Sequence, residues 1–155
     1  MNILFLDDRI FLRGSEAFLL AQELVARGHA VMRVLSVADE RRELRRLRTA
    51  GQADVAIIDL QLAPPNVAHV MGGTFARELR ADVGNDKCVV VIFTINETPL
   101  GVEEKNRTGP AWGIWHLRQD VDAVRAAGFV EEKARAWGGH LAPRPIPDDA
   151  FTTEG

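Results

Sequence analysis

The sequence predicts an α/β fold in which a parallel sheet is covered by helices on both faces. Three apolar runs carry that prediction. Val55-Ala56-Ile57-Ile58 has no polar alternation, the pattern of a strand buried on both faces, and it ends on a carboxylate, Asp59. Asn2-Ile3-Leu4-Phe5-Leu6 also runs apolar and also ends on acid, at Asp7 and Asp8. Cys88-Val89-Val90-Val91-Ile92-Phe93 ends on a hydroxyl, Thr94. Segments of helical period separate these runs, as in a sheet whose parallel strands are joined by helical crossovers.

The elements follow in order. After the first strand, Ser15 is a natural N-cap for a helix from about Glu16 to Arg27, in which Phe18, Ala21, Leu24 and Val25 recur at helical spacing and Gly28 supplies the stop. His29 to Val37 alternates apolar and polar residues, which predicts an edge strand. A second helix opens at Ala38-Asp39-Glu40, and its centre, Arg41 to Arg48, carries so few apolar side chains that it reads as a solvated face, with docking to an acidic partner or RNA as the sharper alternative. The central strand spans Ala53 to Leu62. A turn-rich loop, Ala63-Pro64-Pro65-Asn66, then leads past Gly72-Gly73 to a short helix from Thr74 to Ala81. Lys87 to Phe93 forms the fourth strand. From Asn96 to about Trp115 the periodicity dissolves among Pro99, Gly101, Gly109, Pro110 and Gly113, so this stretch is expected to be an irregular insertion carrying Trp112 and Trp115. Helical character is predicted to resume from His116 to Ala127. Gly128-Phe129-Val130 is the candidate fifth strand, a last helix runs from about Glu131 to Gly138, and residues 143 to 155 form a Pro-rich tail. The expected domain therefore covers residues 1 to 142.

Composition narrows the function classes. A chain of 155 residues fits one domain able to bury about two thirds of its unfolded surface. Its net charge of −3 offers no global attraction to nucleic acid or an anionic membrane. No apolar run reaches the roughly 18 residues that a membrane helix needs, and no export signal precedes the first strand. The single cysteine, Cys88, excludes an intramolecular disulfide and fits a reducing cytoplasm. The histidines, His29, His69, His116 and His140, lack ligand spacing.

Parallel strands ending on Asp7, Asp8 and Asp59 deliver three carboxylates to one sheet edge, the edge where open α/β sheets bind ligands. Carboxylates so gathered repel one another, and protonation or a cation must relieve them. All-oxygen donors favour Mg²⁺, which commonly shares its shell with phosphate oxygens. A carboxylate beside such a metal can attack phosphorus and form an aspartyl phosphate. Asp59 is then the acceptor, Asp7 and Asp8 hold the metal, Thr94 hydrogen-bonds a phosphoryl oxygen, and a lysine completes the ring of charge. The chain has three lysines, Lys87, Lys105 and Lys133, and Lys133 directly follows the candidate fifth strand. Each residue alone has a plainer reading: an Asp that turns the chain or caps a helix, a Thr that favours strands, a Lys on a solvated helix. Their order along the chain raises the sharper one.

This ordered set resembles the receiver domains of two-component response regulators. The resemblance rests on Asp7-Asp8 after strand one, Asp59 after strand three, Thr94 after strand four and Lys133 after strand five. Gly72 or Gly73 and the run Ala127-Gly128-Phe129-Val130 add to it. It covers residues 1 to 95 well and 116 to 140 loosely. It implies a flavodoxin-like, doubly wound sheet of order 2-1-3-4-5. It also implies Mg²⁺ held by Asp8, Asp59 and the main-chain carbonyl of Gln61, with Asp7 acting partly through water. A histidine kinase or phosphotransfer protein would supply the phosphoryl group, and an unidentified protein would receive the signal, with no DNA-binding module in the chain. Four features depart from the family pattern: Ile95 follows Thr94 where a small residue is usual, Ala134 follows Lys133 where proline is usual, the loop after Asp59 is longer, and the segment after Thr94 is longer still. The family's aromatic switch falls on Phe129, without a hydroxyl.

Two other functions compete with this one. A receiver-like protein-binding module that works without phosphorylation is favoured by those departures. A phosphatase of the haloacid dehalogenase type also begins with an acid after its first strand, but here Arg9 fills the place of that family's second acid.

Overall fold

The computed structural model describes residues 1–35, 53–59, 88–94 and 113–137. Within them five strands form one parallel sheet: β1 (Asn2–Leu6), β2 (Ala30–Val34), β3 (Val55–Ile58), β4 (Val89–Thr94) and β5 (Ile114–Arg118), in the order β2-β1-β3-β4-β5. Helices α1 (Glu16–Ala26) and α2 (Ala123–Trp137) pack against each other and on one face of the sheet. The α/β class and the order 2-1-3-4-5 are as the sequence predicts.

The unbroken apolar runs become the strands buried on both faces. Ile3, Phe5, Val55, Ile57, Val91 and Phe93 meet α1 and α2 in one hydrophobic cluster. Leu4, Leu6, Ala56, Ile58, Val90 and Ile92, which point the other way, are buried as well. Phe5 and Phe93 meet edge to face at 6.0 Å across β3, a geometry worth about 0.5–1.5 kcal/mol beyond area burial. The more alternating β2 lies at the sheet edge and is only half buried over most of its length.

Helix α1 starts where Ser15 predicts. Its Oγ accepts from the backbone N–H of Phe18 at 3.1 Å and donates to the carbonyl of Arg9 at 2.7 Å. The helix stops at Gly28, whose φ of +90° lets its N–H reach Val25 O at 2.9 Å while His29 N–H reaches Leu24 O at 3.1 Å. This paired closure satisfies carbonyls the helix leaves open.

The carboxyl-terminal third departs from expectation. The segment read as a helix from His116 begins instead with β5, and Ile114 and Trp115, assigned above to the irregular insertion, open that strand. Trp115 and Leu117 face the core, His116 is half buried and Arg118 exposed, so the period of two prevails over the helical spacing of Leu117, Val121 and Val124. Gly128-Phe129-Val130 is not a strand but the middle of α2, which also absorbs the expected helix at Glu131. Gly128 punctuates nothing, since a helix interior accepts glycine at a modest cost. Asp122 starts α2, its Oδ1 accepting from the Arg125 N–H at 2.9 Å. The expected arginine-rich helix, the helix from Thr74 to Ala81, most of the 96–115 insertion and the 143–155 tail lie outside the described residues.

Candidate functional site

The two central strands place the first acids side by side. Leu6 pairs with Ile58, and the ladder continues one step further, with Asp59 N–H donating to Leu6 O at 2.9 Å and Asp7 N–H to Val34 O at 3.1 Å. Strand alternation therefore sends the Asp7 and Asp59 side chains toward the face that carries Phe5 and Ile57. One carboxylate oxygen from each of Asp7, Asp8 and Asp59 lies within 4.8 Å of the other two. Asp7 and Asp59 are buried, whereas Asp8 opens to solvent. Thr94 ends β4, buried at the same sheet edge, paired in register with Arg118.

Electrostatics marks Asp7 as the strained member. Its carboxyl is pushed up from 3.8 to about 7, first by burial and then by the charges of Asp59 and Asp8. The Arg9 N–H, donating to Asp7 Oδ1 at 2.9 Å, and the Arg9 charge pull the other way. A cation among these oxygens would relieve the repulsion. The donor set, all carboxylate oxygen with one solvent-facing member, fits a hard divalent ion such as Mg²⁺.

The lysine expected here is elsewhere. Lys133 lies ten residues into α2, or about 15 Å along the helix, which runs back toward the amino ends of the strands. Its Nζ sits 5.3 Å from the Phe129 ring centre and 5.9 Å from that of Trp115, and 3.7 Å from Glu132 Oε1. Two residues earlier, Glu131 bonds His29 and Arg27, at the opposite edge of the sheet from the acids. Because residues 128–130 lie inside α2, Lys133 follows no strand, and the last residue of β5 is Arg118.

The end of β5 brings Gln119 to the site instead. It is 1% exposed, and its Nε2 donates to Phe93 O at 2.9 Å and to Asp7 Oδ2 at 3.3 Å, while its Oε1 accepts from Arg9 Nη2 at 3.1 Å. No sequence motif singles out Gln119 or Arg9 for this site. The alternation of Ile114 to Arg118 was the signal that marks Gln119 as a strand-end residue. Gln61, Gly72, Gly73, Ile95 and Lys105 lie outside the described residues.

No protein-family model matches the sequence, and no curated protein matches it significantly. Solved structures do match the fold. The fold is that of a receiver domain. A sensor protein from Polaromonas sp. JS666 superposes with a TM-score of 0.63 at 20% identity, over 88% of this chain and 98% of that one. A response regulator receiver protein from Sinorhizobium medicae WSM419 gives 0.63 at 18% identity, over 88% and 96%. The signal receiver domain of a signal transduction histidine kinase from Syntrophus aciditrophicus gives 0.62 at 19% identity, over 92% and 96%. In this chain Arg118 ends β5, exposed and paired with Asp120 at 3.2 Å, and buried Gln119 follows it.

Proposed function

We propose that this chain is a signalling receiver that accepts a phosphoryl group on Asp59 from a histidine kinase or phosphotransfer protein and acts through protein contact. The observation that carries the reading is the convergence of Asp7, Asp8 and Asp59 at the carboxyl edge of a receiver-type sheet, with Thr94 at the end of the neighbouring strand. Asp8 and Asp59 would hold Mg²⁺, with Asp7 beside them. The ion would supply neutralising charge to the phosphoryl oxygens and acids. An Asp59 carboxylate oxygen attacks phosphorus as the donor's bond to phosphorus breaks, its electron pair leaving on the donor. Thr94 offers its hydroxyl to a phosphoryl oxygen. Catalysis is mostly positioning and charge neutralisation, so the domain needs no further acid or base to promote its own modification.

Incubation with Mg²⁺ and acetyl phosphate should add one phosphoryl mass to the parent protein and none to Asp59→Asn. Equal uptake by both would sink the reading.

One observation favours a second reading, a receiver-like module that binds its partner without phosphorylation. Lys133 sits over Trp115 and Phe129, and the neutral amide of Gln119 already takes up Asp7 Oδ2. Saturable, Mg²⁺-dependent phosphoryl uptake at Asp59 would rule this out.

A further inference from the structure

Phosphoryl transfer to an acid cluster calls for a cation that opposes the charge on the transferred group, and Lys133 is not at hand to supply it. The hydrogen bonds of Gln119 show where another is held. Phe93 O can only accept and the Arg9 guanidinium can only donate, so the amide has one permitted orientation: Nε2 toward Phe93 and Asp7, Oε1 toward Arg9. A lysine at position 119 would keep the donors but lose the acceptor, and it would set a second positive charge against Arg9. Glutamine is the side chain that can join the end of β5 to a cation arriving from β1.

Arg9 is also tied at its backbone. Its N–H donates to Asp7 Oδ1 at 2.9 Å and its carbonyl accepts from Ser15 Oγ at 2.7 Å, so the site acid and the cap of α1 together set where the side chain begins. The guanidinium tip is separated from Asp7 Oδ2 by a single amide group, and Asp7 belongs to the same cluster as Asp59. Guanidinium carries five donors in a planar fork, so bonding Gln119 leaves donors that match phosphoryl oxygens.

Resting on the reading that Asp59 accepts a phosphoryl group, we propose that Arg9 is the cation that contacts that group and that Gln119 is its positioning residue. The positive charge at the phosphoryl group thus comes from the loop after β1, whereas the guanidinium of Arg118, the last residue of β5, pairs with Asp120 at 3.2 Å on the exposed surface. As the Asp59 oxygen–phosphorus bond forms and the donor departs with its electron pair, Arg9 opposes the negative charge on the phosphoryl oxygens.

The test compares the parent with Arg9→Ala, Arg9→Lys and the double variant Arg9→Ala/Gln119→Lys. Three quantities are read: binding of Mg²⁺ by calorimetry, binding of the phosphoryl mimic fluoroberyllate by ¹⁹F NMR, and the initial rate of phosphoryl uptake from acetyl phosphate by intact mass. Arg9→Ala should weaken fluoroberyllate binding and slow uptake by roughly 10- to 100-fold, while Mg²⁺ still binds. Arg9→Lys, which keeps the charge but loses the fork, should fall between, and the double variant should recover much of the loss by placing a cation at position 119. Fluoroberyllate binding and uptake undiminished in both Arg9→Ala and Arg9→Lys would overturn the inference and leave the phosphorylation reading standing. A parent that takes up no phosphoryl group would remove that reading, and this inference with it.

Discussion

Gln119 Nε2 lies 3.3 Å from Asp7 Oδ2, joining the end of β5 to the end of β1 across 112 residues of chain and the two strands between them. The same nitrogen donates to Phe93 O at 2.9 Å, so one amide ties three strand ends together. Replacing Gln119 by alanine leaves a buried carbonyl and a buried carboxyl short of a donor. We expect a loss of about 1–3 kcal/mol, read as a lower urea midpoint at unchanged slope.

Asp7 makes stability depend on pH in a set direction. Its folded pKa of about 7 lies above the ordinary 3.8, so the folded protein holds that proton more tightly than the unfolded chain does. The contribution is fully present below about pH 4 and is lost as pH rises through about 7, by as much as about 4 kcal/mol. Thermal melts without divalent ions should therefore fall between pH 5 and pH 8. Asp7→Asn should flatten that slope, and millimolar Mg²⁺ at pH 8 should raise the parent's midpoint by binding the folded state.

Glu131 acts in the opposite sense. Hydrogen bonds from His29, at 2.9 Å, and from Arg27 hold its pKa below the ordinary carboxylate value. The stabilisation it contributes is present above pH 4.5 and is lost as pH falls through its lowered pKa. Glu131→Gln should be less stable than the parent at pH 7, and their urea midpoints should converge in acid. A gap that persists in acid, once Glu131 is protonated in the folded protein, would mean the loss comes from packing.

Lys133 provides the contrasting case. Lys133→Met should take up phosphoryl groups at the parent rate, because its ammonium lies over Trp115 and Phe129 and away from the acids. Its removal should cost at most about 1 kcal/mol, from the cation–π contacts. A collapse of uptake in this variant would return the lysine to the site.

Much of the fold is legible in local pattern. Runs such as Val55 to Ile58 identify strands buried on both faces, because only a layered sheet hides every side chain of a short extended segment. Ser15 and Gly28 mark the ends of α1 through chemistry that acts within a few residues. The carboxyl-terminal third departs from its local pattern for the same reason in reverse. At an edge, β5 carries a short alternating pattern that competes with helical spacing, and Gly128 imitates a turn while sitting inside α2 with open space where a side chain would go. That one shift of the fifth strand also leaves Lys133 within a helix and not at a strand end.

By itself the sequence determined that acids end two buried strands and a threonine ends a third. Alternation and burial are local properties, and the order of strands in a receiver-type sheet does the rest. Only the tertiary structure decided which side chain closes the site. Residue 119 reaches Asp7 because β5 packs beside β4, a pairing that no nearby residue encodes. An amide that must accept from Arg9 while donating to Asp7 and Phe93 acquires its meaning from partners brought together by the sheet.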